Sequence, residues 1–203
     1  MYTPQHFKEE RLDVLHAAIA RIGLGTLVIH GEKGLEASQI PMTLDEDAGR
    51  GPGTLIGHVA RANPLWKHAR GEALAVFLGP HAYVSPSWYP SKRETGKVVP
   101  TWNYLSVHAH GRIEFFEDPV KLRGHLEKLT VAQESARALP WNVGDAPDVY
   151  IGQLLRAIVG FTFTIDRLEG QWKMSQNKAD AERNGLKAGL TETGALDVVE
   201  LMK

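Results

Sequence analysis

One short connection constrains this chain more than any other. Gly25 to His30 (GTLVIH) is β-branched and apolar, Leu35 to Met42 (LEASQIPM) is a second strand-like run, and only Gly31-Glu32-Lys33-Gly34 lies between them. Parallel neighbours need a crossover of about a dozen residues or more. A Gly-rich link this short makes a hairpin, and so an antiparallel sheet. Pro41 cannot donate to a ladder, which puts that end of the run at an edge or a bulge. The pattern continues with Thr54–Ala60 (TLIGHVA), the continuous apolar run Ala73–Leu78 (ALAVFL), a resumption at His81–Ser85 after a Gly79-Pro80 break, and a long strand over Asn103–Glu117 with a bulge expected at Gly111. The last strand is Val159–Leu168, where Phe161, Phe163 and Ile165 alternate with Thr162, Thr164 and Asp166.

Helical periodicity flanks these strands. Residues 1–5 read as an extended arm, and His6–Ile22 as a helix with Leu12, Leu15, Ile19 and Ile22 on one face and Gly23 as its stop. Asn63-Pro64 caps a short helix within Arg61–Ala69. Asp118-Pro119 starts a helix running to about Leu139, with Val120, Leu122, Leu126, Leu129 and Val131 as its apolar set; Asp148–Ala157 is another. Asp45–Gly53 reads as a loop, and the tail from Asn177 to Lys203 as two helices split near Gly189–Gly194. This order does not alternate β and α, and neither a GxGxxG nor a P-loop is present. The expected class is α+β, mostly β: a small antiparallel barrel with flanking helices. Residues 1–177 form the barrel domain, and 178–203 a helical extension packed on it.

Composition removes several function classes. The chain has no cysteine, so it has no disulfide framework, thiolate nucleophile or cysteine metal site. A formal charge of −1 gives no broad basic field for nucleic acid or membrane surfaces. The start, MYTPQHFKEERLD, is too charged for a signal peptide, and no apolar run approaches the ~20 residues that span a bilayer. The expectation is a soluble, cytoplasmic protein.

Chemistry concentrates in three places. Ala82–Glu117 carries Trp88, Tyr89, Lys92, Arg93, Trp102 and Tyr104, a mixture of aromatic faces and cationic heads suited to a flat, anionic, partly apolar ligand. Gly57–Pro64 brings His58, Arg61 and a helix start together, an arrangement attractive to phosphate; the plain alternative is a capped turn with a surface arginine. Trp172, Lys173, Ser175, Gln176 and Asn177 follow the last strand, where they either meet a carbonyl-rich ring or cap the next helix. His108 and His110 share a strand face, but with no cysteine and no nearby carboxylate they read as surface or interface histidines, and no metal is expected. Ser85 and Ser87 lack a GxSxG elbow, and Ser91–Gly96 is either a solvated loop or one that orders around a phosphate. No catalytic acid, base or nucleophile stands out.

The blocks YVSPSWYPSK, VPTWNY and VHAHGRIEF, with MYTPQHF, HVARANPLW and WKMSQN in the same order, resemble the PaiB-type proteins, often called FMN-binding negative transcriptional regulators. The resemblance runs from Met1 to about Asn177; Met174 stands where the family usually has Leu, and the tail matches poorly. It implies the FMN-binding split β-barrel of flavin reductases and pyridoxamine-phosphate oxidases, usually a homodimer with FMN at the subunit interface. It also implies contacts from Ser38 and Gln39 to the ribityl chain or ring edge, from His58, Arg61 and Asn63 around the phosphate, and from Lys173 and Gln176 at the late strand end. Trp88, Tyr89, Thr101 and Trp102 would close over the ring. Two functions follow from the resemblance: an FMN-binding regulator or flavin sensor, or an FMN-dependent oxidoreductase or flavin reductase of the same fold. DNA binding rests on the family name alone, because no helix-turn-helix with a basic recognition helix is visible.

Overall fold

The computed structural model describes residues 1–31, 34–46, 51–69 and 71–202. Among the described residues there are seven strands: β1 (Lys8–Glu9), β2 (Leu24–Gly31), β3 (Gly34–Asp45), β4 (Thr54–Ala60), β5 (Glu72–Val84), β6 (Thr101–Phe116) and β7 (Ile158–Lys173). Seven α-helices accompany them among the described residues: α1 (Leu12–Ile22), α2 (Leu65–His68), α3 (Ser91–Thr95), α4 (Pro119–Glu134), α5 (Asp148–Arg156), α6 (Asp180–Glu192) and α7 (Leu196–Leu201). The strand order is β1-β7-β4-β3-β2-β5-β6, and β6 pairs again with β7, so six strands close a ring and β1 adds to β7. The expected antiparallel barrel with flanking helices is therefore present.

The hairpin holds in register from Leu24↔Pro41 to Gly31↔Gly34; its central residues Glu32 and Lys33 lie outside the described residues, as do residues 47–50 of the expected acidic loop. β3 changes partner at Pro41. Residues up to Pro41 pair with β2, and Met42–Asp45 pair with β4. A residue without an N–H fits where one ladder ends and the next begins.

Contacts divide the chain into two compact units. One comprises Met1–Ala18, Leu78–Val107 and Glu169–Lys203; the other comprises Ile19–Phe77 and His108–Leu168. In the second unit, Leu27, Ile29, Leu55, Phe77, Phe161 and Phe163 are fully buried. Gly57 lies opposite Phe161, and a Cβ there would fall 2.4 Å from the ring. The bulge expected at Gly111 gives way to another requirement. β6 runs on unbroken, and a Cβ at Gly111 would lie 2.0 Å from the Thr164 carbonyl oxygen, so the glycine answers a close backbone approach of β6 to β7. Outside the strands, Leu122, Val143, Ile151 and Leu155 form a small helical cluster backed by Phe116 and Ile158. The first unit has its own core, including Leu15, Val84, Leu105, Val107, Leu186, Leu190 and Met202.

Several element boundaries differ from the sequence reading, and Ser91–Thr95, expected as a loop, is the helix α3. The first helix begins at Leu12 rather than His6, because Lys8 and Glu9 pair with Gln171 and Gly170 and the Glu9 carboxylate accepts the N–H of Arg11 at 2.9 Å. β5 passes through Gly79-Pro80 without a break. α4 stops at Glu134; Val120 and Val131 are exposed, and its buried side chains are Leu122 and His125. β7 extends five residues past Leu168, to Lys173. By contrast, the Asp118 cap stands, with its carboxylate accepting from Val120 N–H (2.8 Å) and Lys121 N–H (3.1 Å). The tail does split, at Gly194 with φ +79°.

Gly111→Ala is expected to destabilise the protein by about 3 kcal/mol or more, since neither strand backbone can yield. A denaturant titration that placed the variant within about 0.5 kcal/mol of wild type would contradict the close approach.

Candidate flavin site

In the first unit, the sequence around Ser85–Val99 folds into a short 3-10 helix at Pro86–Trp88 followed by α3. Ser85 accepts the N–H of Ser87, and the Gly96 C-cap takes φ +64°. Consecutive residues then face opposite ways. Trp88 packs against Gly185 and Gly189 of α6, while Tyr89 lines a cleft of about 210 Å³ with Phe7, Val99, Thr101, Asn103 and Lys173. Ser175, Asn177 and Lys178 complete its polar wall. An adjoining cleft of about 170 Å³ shares Tyr89, Val99 and Lys178 and adds Lys97 and Glu182.

The polar groups of this cleft are held by one another. Lys173 Nζ donates to Thr101 Oγ1 and to the Trp102 carbonyl, both at 2.5 Å, and lies 5.8 Å from the Tyr104 ring centroid. Burial holds its pKa below the usual lysine range, so an acceptor arriving beside it relieves a desolvated ammonium. Asn103 is fully buried; its Oδ1 accepts from Ser175 Oγ at 2.8 Å and its Nδ2 donates to Met202 Sδ at 3.5 Å. Ser175 takes a left-handed backbone, φ 59°, although it is not glycine. Lys178 Nζ lies 5.7 Å from the Tyr89 ring centroid, and burial followed by the Glu182 charge raises the Tyr89 pKa. Gln176 turns its amide back on its own strand end, donating to the Trp172 carbonyl and accepting the Met174 N–H. Trp102 is about half exposed, with Tyr83 at 5.9 Å and His81 at 6.3 Å between ring centroids.

The other expected residues fall in the second unit. Asn63 Oδ1 accepts the Leu65 N–H at 3.0 Å, capping α2, and its Nδ2 donates to Ser38 Oγ at 3.4 Å. Gln39 is exposed and accepts from Thr26 Oγ1 at 3.0 Å. Arg61 is used as a strut: it donates to the carbonyls of Arg156 (2.7 Å) and Ile158 (3.2 Å) and pairs with Glu117. His58 Nδ1 lies 3.1 Å from His125 Nε2, and His125 Nδ1 is buried with no partner among the described residues. Desolvation lowers both pKa values, that of His125 to about 4, with the His58 and Lys128 charges adding to it. The His108 and His110 rings stand 6.4 Å apart. Thus the structure gathers Tyr89, Thr101 and Lys173 around one cleft, gathers Ser38 with Asn63, and turns Trp88 and Gln176 to local packing. Sequence reasoning missed Phe7, Val99, Asn103 and Lys178. Asn103 had a legible signal: it shares period-two alternation with the buried Leu105 and Val107, a polar group at a core-facing position.

Residues 1–167 match the family described as "Putative FMN-binding domain". The chain belongs to this family. Its relatives include an uncharacterized protein of Emericella nidulans, 33% identical over 96% of this chain and 92% of its own length. Another is the Bacillus subtilis "Protease synthase and sporulation protein PAI 2", 29% identical over 90% of this chain and 85% of its own. Among solved structures, the FAD and heme binding protein from Mycobacterium smegmatis superposes with a TM-score of 0.61 over 90% of this chain and 80% of its own, at 17% identity. The flavocytochrome Anf3 from Azotobacter vinelandii does so with 0.56 over 84% and 72%, at 13%. The fold is the flavin-type split barrel, and FMN is the family's cofactor. The cleft's chemistry fits it. FMN presents ring carbonyls and a phosphate, all acceptors, and the cleft offers two ammonium groups, hydroxyls and an aromatic face. Bound FMN supplies electron and hydride transfer; the chain supplies position and charge.

Lys173→Ala is expected to weaken FMN by about 1.5–3 kcal/mol, the worth of a charged hydrogen bond, in a fluorescence-quenching titration; unaltered affinity would remove Lys173 from the site. The histidine pair predicts an acid effect. A folded pKa near 4 against about 6.5 unfolded leaves the unfolded chain binding more protons, so stability present above pH 6.5 is lost as pH falls toward 4, by up to about 3 kcal/mol. The dependence of stability on pH in that window should flatten in His125→Gln, and an unchanged slope would contradict it.

Proposed function

We propose that this protein is a dimeric FMN-binding sensor or regulator, with the flavin at the subunit interface. The observation that carries the reading is the size and chemistry of the Tyr89–Lys173 cleft. At about 210 Å³ it falls below the ~300 Å³ at which pockets begin to enclose a ligand of this kind. We infer that a second copy supplies a further wall. Tyr83 and Trp102 offer the exposed aromatic sheet face that such a copy covers. Tyr89 closes one side of the ring, and Thr101 and Lys173 meet its acceptors.

The regulatory half of the reading draws on the Bacillus relative, named for protease synthesis and sporulation. Direct DNA contact has little basis in α6, the longest helix of the tail, which sets Arg183 and Lys187 against Asp180, Glu182 and Glu192. No helix among the described residues is long and apolar enough to cross a membrane. One observation favours a flavin-dependent oxidoreductase instead: Lys173, with its lowered pKa, stands where it could steady negative charge on a reducing ring.

The test combines three measurements. FMN should quench on titration at micromolar protein, sedimentation should give a dimer, and NADH or NADPH should not be turned over by the loaded protein. Absence of quenching would sink the flavin reading. A monomer when loaded would sink the interface, and turnover would move the function to the oxidoreductase. Fluorescence polarisation with promoter fragments at stated salt decides whether regulation is direct.

A further inference from the structure

We propose that α6 is a latch that shapes the flavin cleft, with Trp88 and Gly189 as its positioning pair. The proposal rests on the flavin reading for the cleft's occupant. It gives a role to residues beyond the family match, which ends at residue 167.

The latch is visible in two glycines that the helix itself does not need. Gly185 and Gly189 lie one turn apart inside α6, and neither has a positive φ. Glycine is disfavoured in a helix interior relative to alanine, so a packing demand has to account for them. A Cβ on Gly189 would lie 2.3–2.4 Å from the Trp88 ring atoms Cδ2, Cε2 and Cγ, and one on Gly185 would lie 2.3 Å from the Trp88 carbonyl oxygen. Gly189 makes room for the indole, and Gly185 for the Trp88 carbonyl oxygen and the Pro90 ring. A second tie joins the same segments: the Ser91 N–H donates to Glu182 Oε1 at 3.1 Å, securing the start of α3. α6 is also fixed by the buried Leu186 and Leu190, and the Arg183 guanidinium donates to the Met202 carbonyl.

The consequence for the ligand follows from adjacency. Trp88 is held by α6, so the next residue, Tyr89, is turned into the cleft and is 5% exposed. Lys178, two residues before α6, stands over the Tyr89 ring. The last helices of the chain therefore determine whether the aromatic wall and one ammonium of the cleft are in place. Trp88 acts through Tyr89; it does not line the cleft.

Gly189→Val, Trp88→Ala and the double variant test this, read by FMN fluorescence quenching and by amide exchange over residues 86–99. Valine is no worse than glycine in a helix interior, so any loss comes from expelling the indole. Each single change is expected to weaken FMN about tenfold and to speed exchange over 86–99, with residues 161–165 of β7 unaffected. In the double variant valine occupies the space of the missing indole, so affinity recovers relative to Gly189→Val and the two losses do not add. Additive losses would overturn the latch, as would accelerated exchange with FMN affinity within about twofold of wild type. If wild-type protein binds no FMN, the flavin reading fails, and rescue of exchange in the double variant alone decides the latch. If Gly189→Val does not fold, Trp88→Phe against Trp88→Ala carries the test: phenylalanine should keep affinity and alanine lose it.

Discussion

A buried amide organises the first unit. Asn103 sits fully enclosed on β6, and an enclosed amide has to be hydrogen-bonded or it costs about 1–3 kcal/mol per unmet group. Its oxygen is met by Ser175, which lies just past β7 and adopts a left-handed backbone to get there. Its nitrogen is met by the Met202 sulfur at the end of the last helix. Two distant stretches of chain are thereby drawn to one point on β6. That point is also the floor of the cleft, so the demand for polar satisfaction and the shape of the ligand site share a cause.

The second unit follows a different logic. Its strands meet through apolar alternation, and two glycines, Gly57 and Gly111, make room for Phe161 and for the β7 backbone. Its polar features, the His58–His125 pair and the Arg61 strut, are engaged with their own surroundings rather than left open. A histidine held near pKa 4 is neutral at physiological pH and behaves as a core side chain with a hydrogen bond, which makes it a source of acid sensitivity. The open, donor-rich surface lies in the first unit, and for that reason the flavin reading leans on Tyr89, Thr101 and Lys173.

The strands were legible in the sequence because period-two alternation and turn residues are local signals. Hairpin, third strand, long β6 and closing strand all stand within a few residues of where their patterns place them. The failures came from contacts that local signals do not carry. Lys8 and Glu9 look helical until β7 pairs with them, and Gly79-Pro80 looks like a break until its neighbours keep it in a strand. Val120 and Val131 fit an apolar set by type but not by face. In the site, the aromatic block pointed to the right stretch, yet no spacing distinguishes Trp88, which faces α6, from Tyr89, which faces the cleft. Phe7 and Lys178 are far from that block in sequence and enter only through the fold.

The most direct measurement is a crystal structure of the protein grown or soaked with FMN. Isoalloxazine density is expected against Tyr89, with Lys173 Nζ within hydrogen-bond distance of a flavin oxygen and a second copy closing the open side. Flavin density seated away from Tyr89 and Lys173, for example in the wider cleft lined by His30, Leu35 and His110, would contradict it.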